Sequence, residues 1–141
     1  MTLADNSAGM RAVIQETVDA GILPGARVWH PDLESQPAAD ETFDLIVTSL
    51  VLHHVRQLEQ VLRRFAEFLV PGGYLCIADL DREDGTFHAP DFDGHHGFSR
   101  SEVAAQLVGV GLSEVSVQDC TELVKDGVTY SVFPAVARRG T

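Results

Sequence analysis

The stretch FDLIVTSLVLHHV, residues 43–55, decides how the rest of the chain is read. Its first half is continuously apolar and β-branched. That pattern predicts a strand covered on both faces, as in a parallel sheet held between helix layers. Just downstream, Leu58, Val61, Leu62, Phe65 and Leu69 recur on one face of a helix. Glu59, Arg63 and Glu67 fall one turn apart on its outer side and support it. Pro71-Gly72-Gly73 is read as the stop of that helix, and residues 74–79 as a second buried strand.

Upstream, Met10, Val13, Ile14 and Val18 stand at helical spacing, with Gly21 placed to close the helix and Asp5, Asn6 or Ser7 to cap its start. Pro24 and Gly25 then turn the chain into a short strand over residues 26–30. Residues 34–42 are polar, carry Pro37 and read as loop. Beyond the second buried strand, residues 81–97 form a long loop rich in Asp, Gly and His. Ser99 and Glu102 then make a capping box, Phe98 can staple onto Val103, and Gly111 ends the helix. Two more strands are expected near residues 114–121 and 129–136. There is no internal repeat, linker or low-complexity segment, so residues 1–141 are expected to form one domain. Strands alternating with helices predict a doubly wound α/β sheet.

Ten Lys and Arg against 21 Asp and Glu give a net charge of -11. A field of that sign repels phosphate backbones and anionic membrane surfaces, so neither nucleic acid nor membrane is an expected partner. Cys76 and Cys120 form no CxxC pair, which argues against disulfides and zinc thiolates. No basic region followed by an apolar one opens the chain, and no apolar run approaches membrane-spanning length, so a cytoplasmic location is expected.

In open α/β sheets ligands bind beyond the carboxyl ends of the strands. That rule selects Asp5, Asp32, residues 49–54 and residues 79–81, while Asp44 lies at the other end of its strand and reads as structural.

The combination FDLIVTSLVLHHV, a helix, then LVPGGYLCIADLD resembles the class I S-adenosylmethionine-dependent methyltransferases, and within them the type 11 methyltransferase domain. The later stretch EDGTFHAPDFDGHHGFSRSEVAAQLVGVGLSEVSV resembles one bacterial subgroup of that branch. The likeness runs from about Leu3 to Arg138. It implies a Rossmann-like sheet of order 3-2-1-4-5-7-6, mostly parallel with the last strand antiparallel. Matched to that order, Leu3-Ala4-Asp5 is the tail of the second strand. The first strand and the glycine-rich GxGxG loop after it have no counterpart. The sheet is therefore expected to be incomplete and the chain to begin inside the fold. The one GxG, Gly109-Val110-Gly111, reads as a helix stop. With no first strand, the strand over residues 45–49 keeps an apolar, unpaired edge. A second copy or a complementing chain is one way to fill it.

The resemblance also implies roles. Asp5 would accept hydrogen bonds from the ribose hydroxyls of S-adenosylmethionine. Asp32 would meet the adenine amino group, and Leu33 the adenine ring. Ser49 and Leu50 would flank the methionine part. Each has a plainer reading: a helix cap for Asp5, a polar turn for Asp32, strand-end packing for Leu50. His53 and His54 lie where the methyl transfers, either as bases for the acceptor's proton or as packing residues. The loop residues Asp79, Asp81, Glu83, Asp84, His88, Asp91, Asp93, His95 and His96 follow no zinc or calcium spacing, so no metal is expected. The subgroup likeness implies instead that His88, His95, His96 and Phe98 shape the substrate side.

The implied activity is methyl transfer from S-adenosylmethionine to a small-molecule acceptor. Three alternatives remain at this level: an enzyme whose missing segment another chain supplies, an inactive truncated homologue serving as a binding or assembly module, and a truncated gene product with no function of its own.

Overall fold

The computed structural model describes residues 1–5, 7–29, 33, 40–118 and 121–141. The chain divides into two compact units, Met1–Pro37 and Ala38–Thr141.

In the first unit, β1 (Thr2–Ala4) and β2 (Arg27–Trp29) pair in parallel, with Leu3 opposite Val28. Between them runs α1 (Ala8–Asp19). Of the three expected caps, Ser7 takes the role: its side chain accepts the Met10 N–H. Gly21, at φ +77, follows the helix as expected.

The second unit holds β3 (Phe43–Ser49), a 3-10 turn (Leu52–His54), α2 (Leu58–Phe68), β4 (Leu69–Leu80), α3 (Arg100–Gly109), β5 (Leu112–Val117), β6 (Thr121–Lys125) and β7 (Val128–Arg139). The sheet order is β3-β4-β7-β5, with β6 hairpinned onto β7. β3 and β4 are parallel, and β7 runs antiparallel to β4, β5 and β6. This path reproduces the 4-5-7-6 part of the expected order, and the β1-β2 pair reproduces 2-3. The α/β class and the antiparallel last strand are as the sequence predicted. Among the described residues, no strand other than β4 pairs with β3.

Helices α2 and α3 meet each other, α2 packing on β4 and α3 on β5 and β7. Leu58, Val61, Leu62 and Phe68 of α2 and Val103 and Leu107 of α3 are buried. On the sheet, Leu75 and Ile77 of β4 lie opposite Ala137 and Ala135 of β7, all buried. Among the described residues, no helix is long and apolar enough to cross a membrane.

The structure corrects three expectations. First, α2 ends at Phe68, and Leu69 already belongs to β4, paired with Phe43. Pro71 disfavours helical backbone at the residue before it, so the helix closes earlier. Pro71-Gly72-Gly73 is then an irregularity inside β4, where the register shifts between Phe43 and Leu45. A Cβ on Gly73 would stand 3.0 Å from the Asp44 and Val70 carbonyl oxygens, so a side chain there would make the backbone give by a few tenths of an ångström. Second, β3 is not covered on both faces: Leu45 and Val47 are 56% and 66% exposed. Third, β6 replaces an expected loop. Asp126 and Gly127, at φ +51 and +76, form the tight turn that the Asp-Gly pair favours between antiparallel strands.

Candidate active site

The site in the second unit follows from the register of β3 and β4. Ser49 pairs with Ala78 at their carboxyl ends. The two chains leave the sheet together: the Leu50 N–H donates to the Ala78 carbonyl at 2.8 Å. Leu50 takes φ +55, a left-handed conformation that swings the chain sharply into the 3-10 turn.

The turn brings His53 onto the next residue of β4. His53 Nδ1 lies 2.7 Å from Asp79 Oδ1. The carboxylate also accepts the Leu80 N–H on Oδ1 at 2.8 Å and the Leu52 N–H on Oδ2 at 3.0 Å. Both side chains are out of water: His53 is 1% exposed and Asp79 0%. A carboxylate that already accepts two amide protons acts as an acceptor toward the imidazole too. A neutral His53 therefore carries its proton on Nδ1 and its lone pair on Nε2. That Nε2 is buried with no hydrogen-bond partner.

The loop over residues 81–97 closes over this pair. The His95 N–H donates to the His53 carbonyl at 2.8 Å, and the Glu83 N–H to the His96 carbonyl at 2.9 Å. Glu83 Oε2 accepts the N–H groups of Gly85 and Thr86 at 2.7 and 2.9 Å, shaping the tip. Arg100 clamps the loop's base with two bonds to Asp81, each 2.7 Å. This holds His88 with its ring centre 4.9 Å from that of His53, stacked on Phe92 at 3.8 Å. His54 lies 4.2 Å from His53, centre to centre. Burial lowers the pKa of both His54 and His88, and their histidine neighbours lower it further. Both rings therefore favour the neutral state.

The predicted site residues are distributed as follows. His53 and His54 stand together, beside the exposed Ser49 and half-buried Leu50 at the end of β3. Asp5 follows β1: its N–H donates to the Trp29 carbonyl, and its Oδ1 accepts the Ser7 N–H at 2.8 Å. It thus braces Ser7, the residue that caps α1, from its place at a strand's carboxyl end. Leu33 is half-buried in a turn, and Asp32 lies outside the described residues. The His95 ring centre lies 5.0 Å from that of Phe98. Both line a cavity of about 300 Å³ with Arg56, Arg82 and Glu102. His96 sits 3.3 Å from Glu83. Asp79 as the partner of His53 escaped the sequence reading. Its only signal was an acid ending an apolar strand.

A methyltransferase-domain family model, the type 11 methyltransferase domain, matches residues 1–77. The chain belongs to that methyltransferase-domain family. A polyketide synthase-nonribosomal peptide synthetase of Aspergillus clavatus is 47% identical over 53 residues, 38% of this chain and 1% of the synthetase. An uncharacterized methyltransferase of Schizosaccharomyces pombe is 31% identical over 84 residues, 53% of this chain and 30% of that protein. The chain therefore matches less than a third of the length of either. Phosphoethanolamine N-methyltransferase 2 of Haemonchus contortus, solved with S-adenosyl-L-methionine, superposes with TM-score 0.78 at 13% identity, over 99% of this chain and 43% of that one.

S-adenosylmethionine is the cofactor that this methyltransferase family and fold imply. The described residues fit it in part. Asp5, at the carboxyl end of β1, spends Oδ1 on the Ser7 N–H. Ser49 stands exposed at the carboxyl end of β3. Gly109-Val110-Gly111 is no cradle: Gly109 ends α3, Val110 caps it and Gly111 takes φ +95.

Proposed function

We propose that residues 1–141 form one methyltransferase domain that moves a methyl group from S-adenosylmethionine to a small-molecule acceptor whose nucleophilic atom must lose a proton. The observation that supports this reading is the buried His53–Asp79 pair at the carboxyl end of the sheet. S-adenosylmethionine, when bound, supplies a methyl group already activated on a sulfonium, so the protein must chiefly align, exclude water and accept a proton.

In this reading Asp5, Asp32 and Leu33 hold the adenosine part, and Ser49 and Leu50 the methionine part. Asp79 holds His53 in the tautomer whose Nε2 can take the acceptor's proton, and fixes the ring's direction. His54, lowered in pKa and exposed, is the second proton acceptor. Phe87 and Phe92, ringed around the histidines, keep water away. A cytoplasmic location suits such chemistry.

Calorimetric titration of the intact chain with S-adenosylmethionine tests the reading. Saturable binding that weakens in Asp5→Ala is the expected result. No binding at millimolar ligand would leave the chain without cofactor chemistry of its own.

One observation favours a second reading, an inactive homologue that serves in binding or assembly. The face of β3 bearing Leu45 and Val47 is exposed, and β3 ends the sheet. Such an edge takes up a second copy or a complementing chain. Sedimentation separates the cases: association abolished by Val47→Lys supports assembly, and a strict monomer removes it.

A further inference from the structure

We propose that His53, His54 and His88 form a site for a divalent transition-metal ion of the zinc class. The three rings offer one nitrogen each, and these nitrogens lie within 4.8 Å of one another.

Three features point to an ion rather than to packing alone. The first is orientation. Asp79 occupies Nδ1 of His53, which leaves Nε2, buried and without a partner, as the nitrogen open to an ion. A ring with one nitrogen on a carboxylate and the other free is the arrangement in which histidine binds metals, because the carboxylate fixes the tautomer and raises ligand basicity. The second is unmet polarity. Nε2 of His53 and Nε2 of His88 are both buried with no hydrogen-bond partner. A buried polar atom left alone costs about 1–3 kcal/mol, and one ion would satisfy both nitrogens at once. The third is charge. Asp79 is buried against His53, with amide donors and imidazole but no cation beside it among the hydrogen bonds described. A dication beyond the ring would complete a carboxylate–histidine–metal line.

The donor set selects the metal. Imidazole nitrogens suit zinc, copper and nickel, whereas calcium and magnesium require oxygen ligands. Three histidines leave a fourth position open, as in catalytic zinc sites. Zinc–nitrogen bonds of about 2.0–2.1 Å at tetrahedral angles put ligand nitrogens about 3.4 Å apart. With separations of up to 4.8 Å, the cluster must therefore tighten by up to about 1.4 Å at its widest. His53 is pinned by Asp79, so the exposed His54 and the loop-borne His88 make that movement.

Sequence spacing gave no hint of this site, because His88 comes from a distant loop that the fold lays over the 3-10 turn. The site does not depend on the methyltransferase reading. One consequence does rest on it: a metal on Nε2 of His53 occupies the lone pair needed for the acceptor's proton, so metal and proton transfer compete.

The test is calorimetric titration of the metal-free intact chain with zinc chloride alone, together with cobalt(II) absorption spectra. The expected result is one saturable site and the strong visible bands of a four-coordinate cobalt ion. His54→Ala, at an exposed position that leaves the core untouched, and His88→Phe are each expected to weaken binding about tenfold or more. No saturation at millimolar zinc overturns the proposal. So does a site whose affinity is unchanged in both variants, since the ion would then lie elsewhere. Neither readout involves S-adenosylmethionine, so failure here leaves the proposed function standing, and failure of cofactor binding leaves this site standing.

Discussion

His53 and Asp79 are 26 residues apart in sequence, and their side chains meet at 2.7 Å with both buried. The contact exists because β3 and β4 run in parallel and in register, so that the turn after one strand lands on the last residues of the other.

Asp79→Asn keeps the shape but turns half the acceptor into a donor facing N–H groups. Stability is expected to fall by about 1–3 kcal/mol, measured by urea denaturation. The nitrogen-15 shifts of His53 should report protonated Nδ1 in the native chain and a changed tautomer in the variant. If the two spectra coincide, Asp79 does not set the tautomer. On the proposed function, methyl transfer would fall by about 10²–10⁴-fold in His53→Ala.

Acid should weaken the fold through the histidine cluster. The pKa values of His54 and His88 are lowered from 6.5, first by burial, then by His53 and, for His88, by His54 and Lys125; Asp79 and Glu83 oppose this. The unfolded chain then binds more protons than the folded one in the window below about 6.5, so stability rises with pH across that window and levels off above it. Denaturation midpoints between pH 5 and 7 should show the slope, and His54→Ala combined with His88→Phe should flatten it. A midpoint that rises on acidification would contradict the direction.

Two glycines should respond oppositely to alanine. At Gly97, φ is +77 and an added Cβ would stand 2.1 Å from the Asp81 carbonyl oxygen, so the loop's base must open. A loss of more than about 2 kcal/mol is expected from strain and clash together. At Gly109, inside the last turn of α3, nothing lies within 4 Å. Alanine there should add up to about 1 kcal/mol through helix propensity. It should also leave S-adenosylmethionine binding unaltered, because this Gly-X-Gly stops a helix. Thermal melts and titrations of the two variants decide both points.

The covered and open parts of the sheet should differ in their tolerance. Phe133, fully buried on β7, should cost about 3–5 kcal/mol when cut to alanine. Val47→Ala, at 66% exposure on β3, should change stability by no more than about 0.5 kcal/mol in the isolated chain. A large loss at Val47 would mean that its face is covered in solution, which sedimentation would then have to explain.

The sequence by itself determined what local geometry encodes. Apolar spacing placed α1 and α2, and Ser99 marked the start of α3, where its hydroxyl does accept the Glu102 N–H. Glu102, however, turns to Arg82 instead of completing the box. Asp126-Gly127 carried a hairpin signal that went unread. The LHH run could be placed beyond a strand's carboxyl end, because strand direction and length fix that position. The tertiary structure alone decided the rest. Pro71-Gly72-Gly73 became a bulge because Leu69 had a partner in Phe43. One face of β3 stayed open because α2 packs on β4 and α3 on β5 and β7. Asp79 found His53, and His88 found both histidines, through sheet register and loop closure. Periodicity describes a residue's neighbours one turn away; it carries no information about which distant side chain will share its burial.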